Sequence, residues 1–430
     1  MSARPRAGIL ITGTEVLTGI ISDRNGPWLS ERLREVGVDA ASIQIVGDRG
    51  DDLLAALEFM ERSGMRLIVT SGGLGPTADD LTAEVVGRFA GREMVLDDEL
   101  EERIAEILRP LSSRWAGLDP EAIRASNRKQ AVIPSGSVVL GPIGTAPGLV
   151  VPPAREGAPT VIVLPGPPRE LQPMWAMAVD TDVFRSVVAG APEYRRRLAR
   201  LYGIPESEIA ATLRAASDDG VDLSALEITT CLRRGEIEVS TRYEPSAQDA
   251  YDKFVEFMAA RHGAVLFSPD GRTVDEQVAE LLAGRSVAVC ESCTGGLLAG
   301  RLTERAGSSE YFAGGVVAYS NASKVALAGV PESVLERFGA VSEEVAEALA
   351  RGAVERFSAD FGIGVTGVAG PGGGSAEKPV GTVCFSVVGR EPSAGVLTRR
   401  LQLPGGRTDI RERSTTVAMH MLRRVLVGGD

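Results

Sequence analysis

The chain has 430 residues, a formal net charge of −12 and a hydrophobic content of 44%. This length suggests about two or three domains with ample cores. The acidity argues against broad binding to nucleic acid or to anionic membranes. No apolar run is long enough to span a membrane, and the start of the chain, Met1 to Arg6, resembles no signal peptide. We therefore expect a cytoplasmic protein with no membrane partner.

The first part of the chain alternates apolar runs with segments of helical apolar spacing. The runs that predict strands are Ala7–Gly13, Ala41–Val46, Arg66–Thr70 and Val161–Leu164. The segments that predict helices are Asn25–Val36, Asp51–Arg62 and one that begins near Leu81. This alternation predicts a parallel, doubly wound α/β sheet, in which ligands bind at the carboxyl ends of the strands.

A glycine-rich loop, Ser71 to Thr77, follows the third of these strands. Its Gly72, Gly73 and Gly75 would let backbone N–H groups approach a phosphate closely. Carboxylates beside such a loop would repel the phosphate unless a divalent cation lay between them. The candidate metal ligands are Asp79, Asp80, Asp48 and Glu15. Two alternatives remain: Asp79 and Asp80 only favour a helix N-terminus, and the later turn with Gly166 is either a wall of this cleft or a rigid corner.

The segment from about 179 to 262 differs in character from the rest. Short helices such as Glu206–Ala216 and alternating strands near Ile228–Leu232 and Glu236–Tyr243 predict a small α+β module. It carries no Gly-x-x-Gly clamp and no aromatic platform for bases, so a connector or dimerisation role is the more economical reading.

A second α/β pattern surrounds Ser292. The β-branched run Val287–Cys290 predicts a strand, and the segment from Leu297 to Leu302 predicts the start of a helix. Ser292 would then lie near the positive end of a helix, where N–H groups of Thr294, Gly295 and Gly296 are free to receive an oxyanion or a phosphate. Ser292 is accordingly a candidate nucleophile, and the alternative is an ordinary helix N-cap.

The C-terminal half also contains a candidate general base, which is a lysine rather than a histidine. Lys324 follows Tyr319, and a lysine in a dry pocket can lose its proton and activate a serine. The chain has only 2 His, which makes a Ser-His-Asp triad or a zinc site improbable. Cys290 and Cys293 form a Cys-x-x-Cys, for which burial of both thiols is a better interpretation than a redox pair.

These motifs together resemble the CinA family (competence/damage-inducible protein) over essentially the whole length. The C-terminal motifs are Glu291–Gly296, Gly315–Asn321 with Lys324, Thr366–Pro371 and Lys378–Val383. That set is similar to the family's nicotinamide mononucleotide amidohydrolase domain, which releases nicotinate mononucleotide and ammonia and needs no cofactor. The resemblance implies Ser292 as nucleophile, Lys324 as general base and Tyr319 as their partner. It also implies substrate contacts from Thr294, Gly295, Gly296, Thr366, Gly367 and Gly370.

The N-terminal motifs resemble the MoaB/MogA-like (molybdopterin-binding) fold. Ser71–Thr77, Asp79-Asp80 and the turn at Gly166 carry this likeness. In the CinA family that fold is associated with metal-dependent ADP-ribose pyrophosphatase activity, giving AMP and ribose 5-phosphate, and NAD-like compounds are further candidate substrates. The resemblance divides the chain into domains at 1–175, 176–265 (a KH-type connector) and 266–430, and we expect a homodimer. The alternatives are a non-catalytic nucleotide- or pterin-binding N-terminal domain, and a scaffold linked to competence.

Overall fold

The computed structural model describes residues 5–112, 120–153, 155–191, 193–391 and 395–428. The chain forms two compact units, one of residues Met1–Arg196 with Glu244–Ser246, the other of Arg197–Tyr243 with Ala247–Asp430. Among the helices of these ranges, none has both the length and the apolar character that crossing a membrane requires.

The first unit contains a mixed sheet of six strands in the order β2-β1-β3-β8-β7-β6. Its strands are β1 (Arg6–Thr12), β2 (Asp39–Val46), β3 (Leu67–Ser71), β6 (Val138–Leu140), β7 (Gly148–Val151) and β8 (Thr160–Leu164), beside a small pair of β4 (Met94–Leu96) with β5 (Val132–Pro134). The four strands β2, β1, β3 and β8 run parallel, as predicted. The strands β7 and β6, which the sequence pattern did not predict, extend the sheet in antiparallel fashion.

Helices cover both faces of this sheet, which makes it doubly wound. They are α1 (Thr14–Leu17), α2 (Asn25–Glu35), α3 (Gly50–Arg62), α4 (Thr82–Phe89), α5 (Asp98–Ser112), α6 (Pro120–Ala131), α7 (Pro168–Val179) and α8 (Asp182–Val188). Leu57 of α3 lies in one core, and Trp175 of α7 lies in the other together with Phe184 of α8. Because these side chains complete the core, the first unit continues past residue 175, where the sequence analysis placed the domain boundary.

The second unit begins with the small α+β module. Its four strands follow the order β10-β11-β9-β12. They are β9 (Arg195–Tyr202), β10 (Glu227–Arg233), β11 (Glu236–Tyr243) and β12 (Leu266–Ser268), and the helices are α9 (Glu206–Asp218) and α10 (Gln248–His262). Ile209 of α9 and Phe254 of α10 pack against Leu201 and Val239 of the sheet to form a separate core.

The same unit contains a five-stranded sheet in the order β14-β13-β15-β16-β17. Its strands are β13 (Val287–Glu291), β14 (Phe312–Val317), β15 (Phe361–Gly367), β16 (Thr382–Gly389) and β17 (Val396–Gln402). The helices are α11 (Val274–Leu281), α12 (Leu297–Thr303), α13 (Asn321–Ala328), α14 (Glu332–Phe338), α15 (Glu343–Phe357) and α16 (Arg407–Leu426). β14, β13 and β15 are parallel, whereas β16 and β17 are antiparallel.

Two glycines let α15 lie unusually close to this sheet. A Cβ atom on Gly362 would overlap the carbonyl oxygen of Ala350, and one on Gly364 would overlap that of Ala346. Both partner atoms are helix backbone, which cannot turn aside as a flexible side chain can. The absence of side chains at these two positions of β15 therefore sets the distance between helix and sheet.

We predict that Gly364→Ala lowers the free energy of unfolding by about 1–3 kcal/mol or more, because an added methyl group overpacks a filled contact. Gly300→Ala is the matched control, since no atom lies within 4 Å of a Cβ built there and the residue is inside a helix. The control should be neutral or stabilising by up to about 1 kcal/mol. Urea denaturation measures both, and equal stability of the two variants would contradict the packing argument.

Candidate active sites

The carboxyl ends of three parallel strands meet at one edge of the C-terminal sheet. Glu291, the last residue of β13, is opposite Val317 of β14 and Val365 of β15. The loops that follow these strands carry Ser292, Tyr319 and the glycine-rich segment after Gly367. Residues more than 70 positions apart, such as Ser292 and Gly367, thus share one edge, as expected for ligand sites in parallel sheets.

Ser292 occupies a fixed turn directly after β13. Its N–H donates to the Val365 carbonyl at 2.9 Å, and its own carbonyl accepts from Gly295 N–H at 3.1 Å. The side chain is 7% exposed. The alternative that Ser292 caps the helix is wrong, because the N-cap of α12 is Gly296.

Glu291 fills the helix N-terminus that the sequence analysis had left for a ligand. Its Oε2 accepts from the N–H groups of Gly296 at 3.0 Å and Leu298 at 3.1 Å, and its Oε1 accepts from Ala299 at 2.8 Å. The residue is 1% exposed, so a buried carboxylate satisfies these donors. The expectation that the N–H groups of Gly295 and Gly296 are free for an oxyanion or a phosphate is therefore wrong, since that of Gly295 donates to the Ser292 carbonyl.

Lys324 is a buried amine near this turn. A capping box of Ser320 and Ser323 begins α13, and this helix carries Lys324, which is 2% exposed. The amine donates to the Tyr319 carbonyl at 3.2 Å. Burial lowers the pKa of Lys324. A buried lysine bound to a neutral carbonyl has the character that a general base requires.

The two cysteines of the Cys-x-x-Cys are buried and protonated. Burial raises the pKa of Cys290 to about 12 and that of Cys293 to about 12. Both are free thiols. Because a reactive cysteine needs a lowered pKa and exposure, these two lack the character of a redox pair.

Two arginines of α16 contact the loops at this edge. Arg407 donates to the Tyr319 hydroxyl at 3.1 Å and to the Gly370 carbonyl at 2.7 Å. Arg411 donates to the carbonyls of Cys293 at 3.2 Å and Thr294 at 2.8 Å. The sequence analysis did not single out Arg407, since several arginines at the start of a helix also fit an exposed face.

The predicted substrate contacts of this edge differ in accessibility. Tyr319 is 57% exposed, whereas the Thr294 hydroxyl is buried without a hydrogen-bond partner. The Thr366 hydroxyl donates to the Ala340 carbonyl at 2.7 Å. Gly295, Gly296 and Gly370 have φ of 59°, 94° and 82°, and a Cβ on Gly367 would crowd the Thr382 carbonyl. The shape of these loops therefore depends on the backbone conformations of the glycines.

A separate cavity of about 380 Å³ lies in the first unit, at the carboxyl ends of its parallel strands. The predicted metal ligands and loop glycines that line it are Glu15, Asp48, Asp79, Asp80, Gly72, Gly73, Gly75 and Gly166. Glu170 adds a further carboxylate. Ser71 lines the neighbouring cavity instead, where its hydroxyl accepts from the Asn25 amide at 2.9 Å.

The loop glycines bring backbone close to backbone at this cavity. Gly72 and Gly73 have φ of 109° and 65°, which favour glycine. A Cβ on Gly72 would overlap the Thr12 carbonyl oxygen. The loop therefore presents backbone rather than side chains to the cavity, as expected where a phosphate approaches closely.

Hydrogen bonds hold three of the carboxylates in place. Asp48 accepts from the Thr14 N–H at 2.9 Å and from its hydroxyl at 2.8 Å. The Thr77 hydroxyl contacts both Asp79 and Asp80, and its bond to Asp79 lowers the pKa of that carboxyl.

In the described ranges no three acidic, histidine or cysteine side chains lie close enough together to hold a metal ion by themselves. Oxygen donors on the wall of a cavity fit a Mg²⁺-type ion that keeps several waters and binds one or two carboxylates plus a substrate phosphate.

Comparisons with known proteins match both parts of the chain. Residues 272–426 match the model of the CinA C-terminal domain, and residues 8–184 match that of a probable molybdopterin binding domain. A CinA-like protein of Mycobacterium sp. (strain JLS) is 59% identical over 429 residues, which cover 100% of both chains. One of Mycobacterium tuberculosis (strain ATCC 25177 / H37Ra) is 57% identical over 431 residues, covering 100% of this chain and 99% of the relative.

A crystal structure of the competence/damage inducible protein CihA from Agrobacterium tumefaciens is 42% identical, with a TM-score of 0.34. The match covers 35% of this chain and 94% of that one. The full-length matches to CinA-like proteins confirm the resemblance on which the sequence analysis relied. The chain belongs to the CinA family and combines a MoaB/MogA-like domain with a CinA C-terminal domain.

Proposed function

We propose that the C-terminal site is a nicotinamide-nucleotide amidase, which hydrolyses nicotinamide mononucleotide to nicotinate mononucleotide and ammonia. The observation that carries this proposal is the buried Lys324 amine of lowered pKa beside the turn that holds Ser292. Hydroxyl and amine lie at the carboxyl edge of a parallel sheet, where an exposed aromatic ring and glycine-rich loops border them. This set suits acyl transfer from an amide, and the family's likeness supplies the substrate class.

The chemistry follows from the two side chains. Ser292 Oγ attacks the carboxamide carbon while neutral Lys324 takes the hydroxyl proton. Protonated Lys324 then gives that proton to the departing nitrogen, so that ammonia leaves and an ester to Ser292 remains. Water, deprotonated by Lys324, hydrolyses the ester and restores the serine. Because the Gly296 N–H donates to Glu291 and the Gly295 N–H donates to the Ser292 carbonyl, the oxyanion has to use other donors.

We predict that Ser292→Ala abolishes ammonia release from nicotinamide mononucleotide, by a factor on the order of 10³ or more, because the nucleophile is lost. Ser333→Ala, on the exposed side of α14, is the control and should keep full activity. Enzyme-coupled ammonia detection measures both, with circular dichroism to verify folding. A folded Ser292→Ala protein with near-normal turnover would remove Ser292 from the mechanism.

The base role of Lys324 sets a pH dependence. Its neutral form is the active one, so kcat/KM should rise with pH through a pKa below the ordinary value of 10.5. Lys324→Met should lose nearly as much activity as Ser292→Ala and lose the rising limb of the profile. Lys253→Met, at an exposed position of α10, should change neither. A twofold effect of Lys324→Met would rule out lysine as the base.

We propose a second function for the first unit, metal-dependent hydrolysis of ADP-ribose to AMP and ribose 5-phosphate. The cavity lined by Glu15, Asp48, Asp79, Asp80 and Glu170 supports it, since so many carboxylates beside a glycine loop need a cation before a diphosphate can approach. Asp79 and Asp80 would hold the cation, which would neutralise charge on the phosphates. The alternative is a domain that binds nucleotides or pterins without catalysis.

Removal of divalent metal is expected to abolish ADP-ribose cleavage, and added Mg²⁺ or Mn²⁺ should restore it. Asp79→Asn should raise the Mg²⁺ concentration needed for half-maximal rate at least tenfold, because one anionic ligand is lost. Asp98→Asn, an exposed carboxylate in the first turn of α5, should leave that concentration unchanged. AMP production, followed by chromatography, measures the effect. Cleavage that persists in EDTA would exclude the carboxylate–metal arrangement.

A further inference from the structure

We propose that Arg407 recognises the phosphate of the nucleotide bound at the Ser292 site, and thereby makes the enzyme prefer the mononucleotide to the nucleoside, which has no phosphate. This inference rests on the amidase function proposed above and names the residue that selects its substrate class. It follows from where positive and negative charge lie along the carboxyl edge of the C-terminal sheet.

The N-terminus of α12 cannot hold the phosphate. Its donors at Gly296, Leu298 and Ala299 already bond to the carboxylate of Glu291. A second anion at this place would meet a buried negative charge with no free donor. The glycine turn after Ser292 resembles a phosphate-binding loop in sequence. The buried carboxylate of Glu291 and the lack of free donors nevertheless prevent it from binding a phosphate.

Two other cations of the edge are engaged in the interior. Arg411 donates to the carbonyls of Cys293 and Thr294, so it holds the turn that carries the nucleophile. Lys324 is 2% exposed and bonded to the Tyr319 carbonyl. Neither group is placed to meet a phosphate that stays in contact with water.

Arg407 differs from both because it is exposed and its bonded partners carry no charge. These partners are the Tyr319 hydroxyl at 3.1 Å and the Gly370 carbonyl at 2.7 Å. A guanidinium has five N–H donors, so further donors are left for a phosphate, and the two existing bonds hold its plane in one orientation. Its positive charge is not neutralised by either partner.

The position of Arg407 leaves its guanidinium accessible to an anion. It is the first residue of α16, where the Asp409 carboxylate already accepts from the Gly406 N–H at 2.9 Å, so the helix end is not counted as a further anion donor. The residues that follow Gly370, from Pro371 to Gly374, are exposed, so the space beside the guanidinium is open to solvent. An anion here would meet the formal charge of the guanidinium.

The order of these groups matches the order of parts in a mononucleotide. The Tyr319 carbonyl contacts the Lys324 amine at 3.2 Å, and the hydroxyl of the same residue contacts Arg407. Tyr319 thus separates the Lys324 amine from the Arg407 guanidinium. In the substrate, the ribose likewise separates the carboxamide-bearing ring from the phosphate. The exposed tyrosine ring lies between them.

The test compares ammonia release from nicotinamide mononucleotide and from nicotinamide riboside, which lacks the phosphate. The full-length protein, Arg407→Met and Arg407→Lys are assayed with both substrates. We expect the wild type to prefer the mononucleotide, and Arg407→Met to reduce the ratio of the two kcat/KM values on the order of 100-fold. Arg407→Lys should recover part of that ratio, because it keeps the charge but not the planar fork.

Arg399→Met is the matched control, since this arginine of β17 is exposed and bonds to the adjacent Thr398 carbonyl. Its substrate ratio should equal that of the wild type. If Arg407→Met slows both substrates equally, Arg407 only positions Tyr319 and Gly370, and the phosphate proposal is overturned. If the wild type releases no ammonia from either compound, the amidase function itself is wrong, which is a different result from an active enzyme with an unchanged ratio.

Discussion

The C-terminal site depends on one buried carboxylate, that of Glu291. Three backbone N–H groups at the start of α12 donate to it, and these hydrogen bonds fix the sharp turn between β13 and α12. A buried carboxylate is costly unless such donors surround it, and here they are supplied by a helix whose dipole also favours a negative charge. Ser292, the next residue, takes its orientation from that turn. The same carboxylate keeps a negatively charged group of the substrate away from the N-terminus of α12.

Helix α16 complements this arrangement from the other side. Its first turns carry Arg407 and Arg411, which bond to the loops around Ser292 and Tyr319. Farther along, the buried His420 contacts Glu236 of the small α+β module at 2.7 Å and stacks on Tyr202 at 3.7 Å between ring centroids. Burial lowers the pKa of His420. One helix therefore connects the loops around Ser292 and Tyr319 with the packing of the neighbouring module.

The two sites of the chain handle negative charge in opposite ways. At the C-terminal edge a single carboxylate is fully satisfied by backbone donors, and arginine supplies the nearby positive charge. In the first unit Glu15, Asp48 and Glu170 face a cavity with two further aspartates, and the loop glycines contribute only backbone. A phosphate that approached such a wall would need a cation to offset the carboxylates, whereas at the C-terminal edge arginine offers the positive charge. This difference in charge is the reason that we propose a metal-dependent reaction for the first unit and a metal-independent reaction for the C-terminal site.

Much of the architecture could be predicted from local patterns. The alternation of strand and helix in the first unit and the strand before Ser292 both depend on spacing within a few residues, which sequence displays directly. The same patterns brought Asp79, Asp80, Asp48 and Glu15 to one sheet edge, because carboxyl ends of parallel strands converge. The antiparallel strands β6 and β7 were missed, since each is a short apolar segment among turn residues.

The sequence by itself determined most of the parallel strands and their helices, and the residue types available at each strand end. Only the tertiary structure decided which of these groups remain open to a ligand. It assigned the α12 donors to Glu291, gave Lys324 a dry environment, and brought Arg407 to Tyr319 across 88 positions of the chain. Such outcomes depend on competition among donors and acceptors from distant segments, and on burial that many segments create together. The local periodicity of a sequence shows neither this competition nor this burial.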